Sequence, residues 1–209
     1  MSNPIVSIIV TNYNYGKFLH RCLRSCFSQK FLNYEVLVVD DCSTDNSIEI
    51  LQPFLQSNNN LKLINNQENL GVAESANLAI NASRGQFFIR VDSDDFVVSD
   101  MSYIMYKFLE ANHYSFGVSC DYYLVDNYED KIERKSAEEF PISCGIMYRR
   151  DLFLELGGYN PKMRHREEEE LRKRLGEKYR VDYLKMPFYR YRMHDCNKTK
   201  TKEYLETKV

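Results

Sequence analysis

The chain has 209 residues, 44% of them hydrophobic, enough for one domain with a sizeable core. Its 28 Lys and Arg against 30 Asp and Glu leave a net charge of -2 without a basic, aromatic-interleaved stripe, so no nucleic-acid partner is expected. The 6 cysteines (Cys22, Cys26, Cys42, Cys120, Cys144 and Cys196) form no Cys-x-x-Cys pair, which argues against a zinc site or a disulfide framework and fits a reducing cytoplasm.

Pro4 is followed by the β-branched run Ile5 to Val10, bounded by Asn12 and Asn14, and this predicts a first strand. The run is too short to span a bilayer and lacks the basic start of a signal peptide. Lys17 to Gln29 carries the apolar stripe Phe18, Cys22, Leu23 and Cys26 and predicts a helix. Glu35 to Val39 predicts a second strand ending in Asp40-Asp41, with a helix capped by Ser43 or Thr44 and running to about Gln56. Leu61 to Ile64 follows as a strand, then a helix from Gly71 to Ser83, then a strand over Gln86 to Val91. This alternation describes a parallel sheet of right-handed β-α-β units. Beyond Asp95 the pattern changes. Met101 to Ala111 predicts a helix, Ser115 to Val125 a strand, Asp130 to Glu139 a polar loop and Ile142 to Tyr148 a strand. Asp151 to Leu156 and Glu168 to Gly176 predict helices, and Val181 to Arg192 a strand around Pro187. There is no internal repeat and no linker, so a single domain over 1–209 is expected.

In an open parallel sheet, ligands bind beyond the carboxyl ends of the strands. Thr11-Asn12-Tyr13-Asn14, Asp40-Asp41 and Asp92-Ser93-Asp94-Asp95 all fall at such ends. Carboxylates crowded there repel one another unless a cation offsets them. A hard divalent ion with open positions for phosphate oxygens meets that need. No Gly-x-Gly-x-x-Gly follows the first strand and no Gly-Lys-Ser/Thr occurs, which excludes the dinucleotide fingerprint and the P-loop.

Six segments in order resemble a family 2 glycosyltransferase of the GT-A fold. They are Val6 to Asn14, Val38 to Asp45, Asn69 to Ala73, Arg90 to Asp95, Gly145 to Arg150 and Leu156 to Tyr159. The resemblance implies an α/β fold. It has a Rossmann-like, mostly parallel central sheet, helices on both faces and a smaller antiparallel element on the acceptor side. Its implied halves are a nucleotide-sugar half at about 1–95, an acceptor half at about 96–195 and a tail at 196–209.

Asp92 and Asp94 resemble the family's metal motif, holding Mn2+ or Mg2+ on the donor's phosphates, with Asp94 the direct ligand. Ser93 and Asp92 would also border the nucleotide. Asp41 resembles the base-recognising acid, whose carboxylate accepts the imide N–H of uracil; this points to a UDP-linked donor. Tyr13 would stack on the base and Thr11 would touch the base or ribose. Asp40 beside it is a second candidate for nucleotide contact, and both acids also fit a charge pair at a helix N-terminus. Asn69 is a further candidate for the nucleotide; it and Asn77 lie where relatives often carry an arginine just before the second Asn, and Ala76 stands there instead.

Glu167 and Glu168 follow Gly157-Gly158-Tyr159 where the family places its acidic pair, and Glu168 takes the position of the general base. The run of four Glu leaves the register open by one residue, and such runs are ordinarily surface. His194 resembles a late histidine that approaches the metal or diphosphate, or is an ordinary histidine near the chain end. Arg190 and Arg192 are candidates for the diphosphate or for solvent. The implied reaction inverts the anomeric centre and delivers the sugar to a glycan or lipid-linked glycan, as in bacterial surface polysaccharide or lipopolysaccharide synthesis. A cytoplasmic protein is expected. The basic tail at Lys198, Lys200 and Lys202 allows at most peripheral contact with the inner face of the cell membrane. A nucleotidyltransferase acting on a sugar phosphate and a non-catalytic sugar-nucleotide-binding module are the competing readings.

Overall fold

The computed structural model describes residues 3–30, 33–164 and 166–197. Four strands, β1 (Val6–Asn12), β2 (Tyr34–Asp40), β3 (Leu61–Asn65) and β4 (Phe87–Asp92), form the parallel half of one sheet in the order β3-β2-β1-β4. Between them run α1 (Gly16–Phe27), α2 (Ser47–Ser57) and α3 (Val72–Ala82). The helices cover both faces, and the period of two along each strand decides which residue goes where. Val6, Ile8, Val10, Val36 and Val38 pack with Leu19, Cys22 and Leu23 of α1. Their neighbours Ile9, Leu37 and Val39 pack with Ala73, Ala76, Ala79 and Ile80 of α3 on the other face. Strands buried on both sides read as unbroken apolar runs, which is why they are legible in the sequence.

The rest of the chain extends the sheet through β5 (Phe96–Val97), α4 (Met101–Ala111), β6 (Ser115–Val125), β7 (Lys131–Lys135), β8 (Met147–Arg149), α5 (Arg150–Glu155), α6 (Glu167–Leu175) and β9 (Arg180–Arg192). The full order is β3-β2-β1-β4-β8-β6-β9-β5, with β7 pairing β6. β8 runs antiparallel to both β4 and β6, and β5 antiparallel to β9. Register slips along β6 at Cys120/Asp121 and Asp121/Tyr122 bring Pro187 opposite Asp121, so a proline without an N–H is tolerated in β9.

Four expectations need correction. The polar loop expected over Asp130 to Glu139 contains β7, whose exposed charged residues show no apolar alternation and are held by the edge of β6. The strand expected from Ile142 shortens to Met147–Arg149, because Gly145 takes φ +70° and turns the chain. The two-residue strand β5 was not anticipated. Ser43 and Thr44 do not cap α2. Ser43 Oγ accepts Asn14 N–H at 2.9 Å and Thr44 N–H donates to Asn14 Oδ1 at 2.8 Å, so both are committed to the turn after β1. The helix begins at Ser47, whose N–H bonds Asp45 Oδ1 at 3.0 Å.

Among the described residues, no helix is long and apolar enough to cross a membrane. Lys198, Lys200 and Lys202 lie outside the described residues.

Candidate active site at the carboxyl edge of the sheet

β1 sits between β2 and β4, and its last residues are in register with theirs: Asn12 with Asp40, and Thr11 with Asp92. The three polar strand ends therefore stand abreast at one edge, where a cleft of about 340 Å3 opens. Two residues near its rim, Asn14 and Cys42, adopt positive φ (58° and 63°), as does Arg166 (58°) ahead of α6. Left-handed backbone at such residues costs on the order of 1 kcal/mol each and tends to gather at functional sites.

Thr11, Tyr13 and Asp41 line this cleft, with the Tyr13 ring 38% exposed. Asp41 accepts three hydrogen bonds, from Asn66 Nδ2 (2.9 Å) and Leu70 N–H (2.8 Å) on Oδ1 and from Gly71 N–H (2.8 Å) on Oδ2. It thereby anchors the 66–71 loop while facing the cleft. Asp40 is set back. Its carboxylate accepts Asn12 Nδ2 at 2.7 Å and Ser43 N–H at 2.9 Å, which closes the turn after β2 and leaves it off the cleft wall. Asn69 is exposed and meets the cleft only through Arg164, whose Nη1 donates to Asn69 Oδ1 at 3.2 Å.

Ser93, Asp92 and Asp94 all line the cleft. The Ser93 hydroxyl is buried without a hydrogen-bond partner among the described residues. Asp94 Oδ2 lies 2.9 Å from His194 Nε2, joining residues a hundred positions apart. His194 is buried between the rings of Phe18 (4.6 Å) and Tyr15 (5.5 Å), so it is no loose terminal histidine. Its Nδ1 accepts Cys196 N–H at 3.2 Å, which aims Nε2 at Asp94. Asp92 turns instead toward the Arg90 guanidinium, 3.4 Å away. The Asp94 carboxylate and the partly exposed Asp92 nearby are an oxygen donor set that fits Mn2+ or Mg2+, while His194, whose Nδ1 already accepts, donates Nε2–H to Asp94 and fixes that carboxylate from outside the cleft. A second grouping, Asp92, Asp95 and Cys144, brings its ligand atoms within 4.8 Å of one another. Burial, then Asp94 and Asp92, push the Asp95 carboxyl well above its usual range, and burial with Asp92 and Asp95 does the same to the Cys144 thiol. Asp95 is also tied to Tyr189 Oη (2.8 Å) and Arg192 N–H (2.8 Å).

The glutamate run resolves by helical period. Glu167 and Glu168 point inward with Leu171 and Leu175, while Glu169 and Glu170 point outward to Arg166 and Arg174. Glu167 Oε1 pairs with Arg90 Nη1 at 2.7 Å. Burial is the largest influence and pushes against its charge, but the Arg90 charge and hydrogen bond, its own backbone N–H and Ser143 together outweigh it, and its pKa falls below the ordinary value. Glu168 has the opposite fate: burial raises its pKa from 4.5 to about 7, against the opposing pull of Tyr148 and Arg172. Tyr148 Oη donates to Glu168 Oε1 at 2.6 Å and Arg172 Nε to the same oxygen at 3.1 Å. Oε2 has no hydrogen-bond partner among the described residues. One oxygen is thus fixed and the other left to take a proton, on a group that titrates near neutrality.

Arg90, Tyr148, Arg164 and Arg172 were not singled out from the sequence. Arg90 did leave a signal: an arginine inside the apolar strand Phe87–Asp92 is buried only if paired. Arg190 and Arg192, candidates for the diphosphate, do not line the cleft. Arg192 Nε donates to Asp94 O at 2.9 Å, and Arg190 stacks on the Tyr123 ring at 5.0 Å. Cys144 is 3% exposed and lines the cleft floor.

A family profile described as Glycosyl transferase family 2 matches residues 7–189. Glycosyltransferase GlyG of Streptococcus pneumoniae serotype 4 is 34% identical over 105 residues, covering 50% of this chain and 35% of that protein. The chain thus spans about a third of that relative's length. S. aureus TarS 1–349 in complex with UDP superposes with a TM-score of 0.77 at 23% identity, over 90% of this chain and 60% of that one. Mannosyltransferase PcManGT from Pyrobaculum calidifontis, in complex with GDP-Man and Mn2+, superposes with a TM-score of 0.76 at 20% identity, over 94% and 59%. At such identities the likeness is one of fold.

Proposed function

The chain belongs to glycosyl transferase family 2 and has the GT-A fold, and from that premise we propose that it moves a sugar from a UDP-linked donor to a hydroxyl of a glycan, with inversion at the anomeric carbon. The observation that carries this reading is Glu168, a buried carboxyl titrating near 7 with one oxygen held and the other open, in the same cleft as Asp92 and Asp94. Asp41 and Tyr13 hold the uridine end, by hydrogen bonding and stacking. Ser93, whose hydroxyl has no partner among the described residues, borders the sugar nucleotide. Asp94 and Asp92 are the residues that would hold a divalent cation, with His194 orienting the Asp94 carboxylate. Such an ion, when bound, offsets the negative charge on the departing diphosphate.

Glu168 Oε2 accepts the hydrogen bond of the acceptor hydroxyl. As that oxygen bonds to the anomeric carbon, its proton passes to Oε2 and the bond from that carbon to the diphosphate breaks, releasing UDP. A single base suffices for inversion, and no enzyme nucleophile is needed. Arg90 keeps Glu167 ionised and out of this step. Leu124, Ile142 and Tyr122 give the cleft an apolar and aromatic wall on the β6 side, which suits the apolar face of a pyranose ring. That wall supports a glycan acceptor.

Product analysis tests the reading. A UDP-sugar and an acceptor mixture should yield UDP and a glycosylated product. Release of pyrophosphate would favour the nucleotidyltransferase reading, and donor binding without turnover would favour a binding module.

The Glu168 environment also sets a pH profile. The base works deprotonated, so kcat/KM should rise with pH through about 7 and then level. Tyr148 Oη steadies the charged form. Tyr148→Phe should therefore move the rising limb by about one pH unit to the alkaline side, while the rate on the plateau stays near wild type. An unmoved limb would show that Tyr148 serves packing alone.

A further inference from the structure

Arg164 stands on the segment between α5 and α6 and reaches the loop ahead of α3. Its Nη1 donates to Asn69 Oδ1, and a Cβ added to Gly71 would stand 2.7 Å from the same nitrogen. The guanidinium therefore lies against the bare face of Gly71, which adopts φ +89°. Gly71 donates its own N–H to Asp41 Oδ2 at 2.8 Å. A carboxylate and a guanidinium thus flank one glycine, and both line the same end of the cleft. The cleft's other arginines, Arg90, Arg166 and Arg172, each pair with a carboxylate. Among the described residues Arg164 pairs with none, and its only hydrogen bond goes to Asn69.

The lone pairs of Asp41 narrow what can sit there. Asn66 and Leu70 fill Oδ1 and Gly71 takes one side of Oδ2, which leaves one open acceptor site on Oδ2. One acceptor beside a cluster of N–H donors complements a ring edge with a single N–H next to a carbonyl. Uracil presents that edge. With the ring held in uracil's position by its ribose and the Tyr13 stack proposed above, cytosine turns a ring nitrogen acceptor to Asp41 and an amino group to the guanidinium, so acceptor meets acceptor and donor meets donor; only a ring shifted by one position escapes that mismatch, and the shift gives up the stack. Guanine has the carbonyl but offers two adjacent N–H groups to one remaining acceptor.

We infer that Arg164 is a base-reading residue, donating to the carbonyl next to the N–H that Asp41 accepts, so that the two together select uracil. This rests on the nucleotide role proposed for Asp41. The guanidinium is a specificity determinant delivered from the α5–α6 segment, on the far side of Gly71 from Asp41.

The test is a calorimetric titration of UDP, CDP and ADP at fixed Mn2+, on the wild type and on Arg164→Gln. Arg164 is exposed, and the substitution should leave the melting temperature without nucleotide unchanged. The wild type should prefer UDP over CDP. Arg164→Gln should weaken UDP about tenfold, the scale of one hydrogen bond to a charged group, while CDP and ADP stay where they were. Equal losses for all three nucleotides would place the guanidinium on the phosphates and overturn the inference. So would an unchanged UDP preference in the variant. A wild type that does not distinguish UDP from CDP would overturn the Asp41 reading itself.

Discussion

Glu168→Gln should nearly abolish transfer while leaving the donor bound. A correctly placed general base contributes about 10²- to 10⁴-fold, so kcat should fall by that factor with UDP affinity little changed. Gln keeps an oxygen to accept from Tyr148 and Arg172, so the local hydrogen bonds survive and the loss belongs to the chemistry. The same substitution makes a second measurable change. A carboxyl whose folded pKa is raised binds a proton more tightly folded than unfolded, so stability is lost as pH rises from about 4.5 through about 7. At pH 8 the buried charge should cost the folded state roughly 3 kcal/mol. The melting temperature of Glu168→Gln should therefore gain on the wild type between pH 5 and pH 8. A parallel pair of curves together with full activity would remove Glu168 from the base role. Glu167 is a poor replacement for it, because its Arg90 partner holds it ionised and weakly basic.

Asp94→Asn should have the next largest effect. Asp94 joins the strand end after β4 to the buried His194, and Asp92 and Asp95 crowd beside it. Replacing its charge should lower kcat/KM on the order of a hundredfold or more at saturating Mn2+. The folding readout should move the other way. Without metal the variant is relieved of like-charge repulsion and should melt no lower than wild type. With Mn2+ the wild type should gain stability by mass action and the variant should not. If both proteins respond to Mn2+ alike and retain activity, the cation site lies elsewhere, with the Asp92–Asp95–Cys144 grouping the first alternative to examine.

The parallel half of the fold is legible in the sequence because β1, β2 and β4 are buried on both faces and leave continuous apolar runs. The strand ends are equally legible, since Asp40-Asp41 and Asp92-Ser93-Asp94 each follow such a run. Periodicity could not say which acid of the first pair faces the cleft. That choice is made by the turn, where Asn12 and Ser43 claim Asp40 and leave Asp41 forward. The glutamate run reads as surface on composition. It is half buried because the left-handed Arg166 starts α6 with Glu167 turned to Arg90 and Glu168 to Tyr148. β7 has one apolar residue, the exposed Ile132, too little for a pattern, and exists because β6 offers it an edge. Arg164 carries no local pattern either; only the tertiary fold brings it to Gly71.

The most direct measurement is a thermal-shift titration with UDP, CDP and GDP, each with and without Mn2+. A UDP-selective rise in melting temperature that requires the metal is the predicted result, since it needs the Asp41 end and the Asp94–His194 end of one cleft to act together. No shift with any nucleotide, with or without metal, would contradict the account.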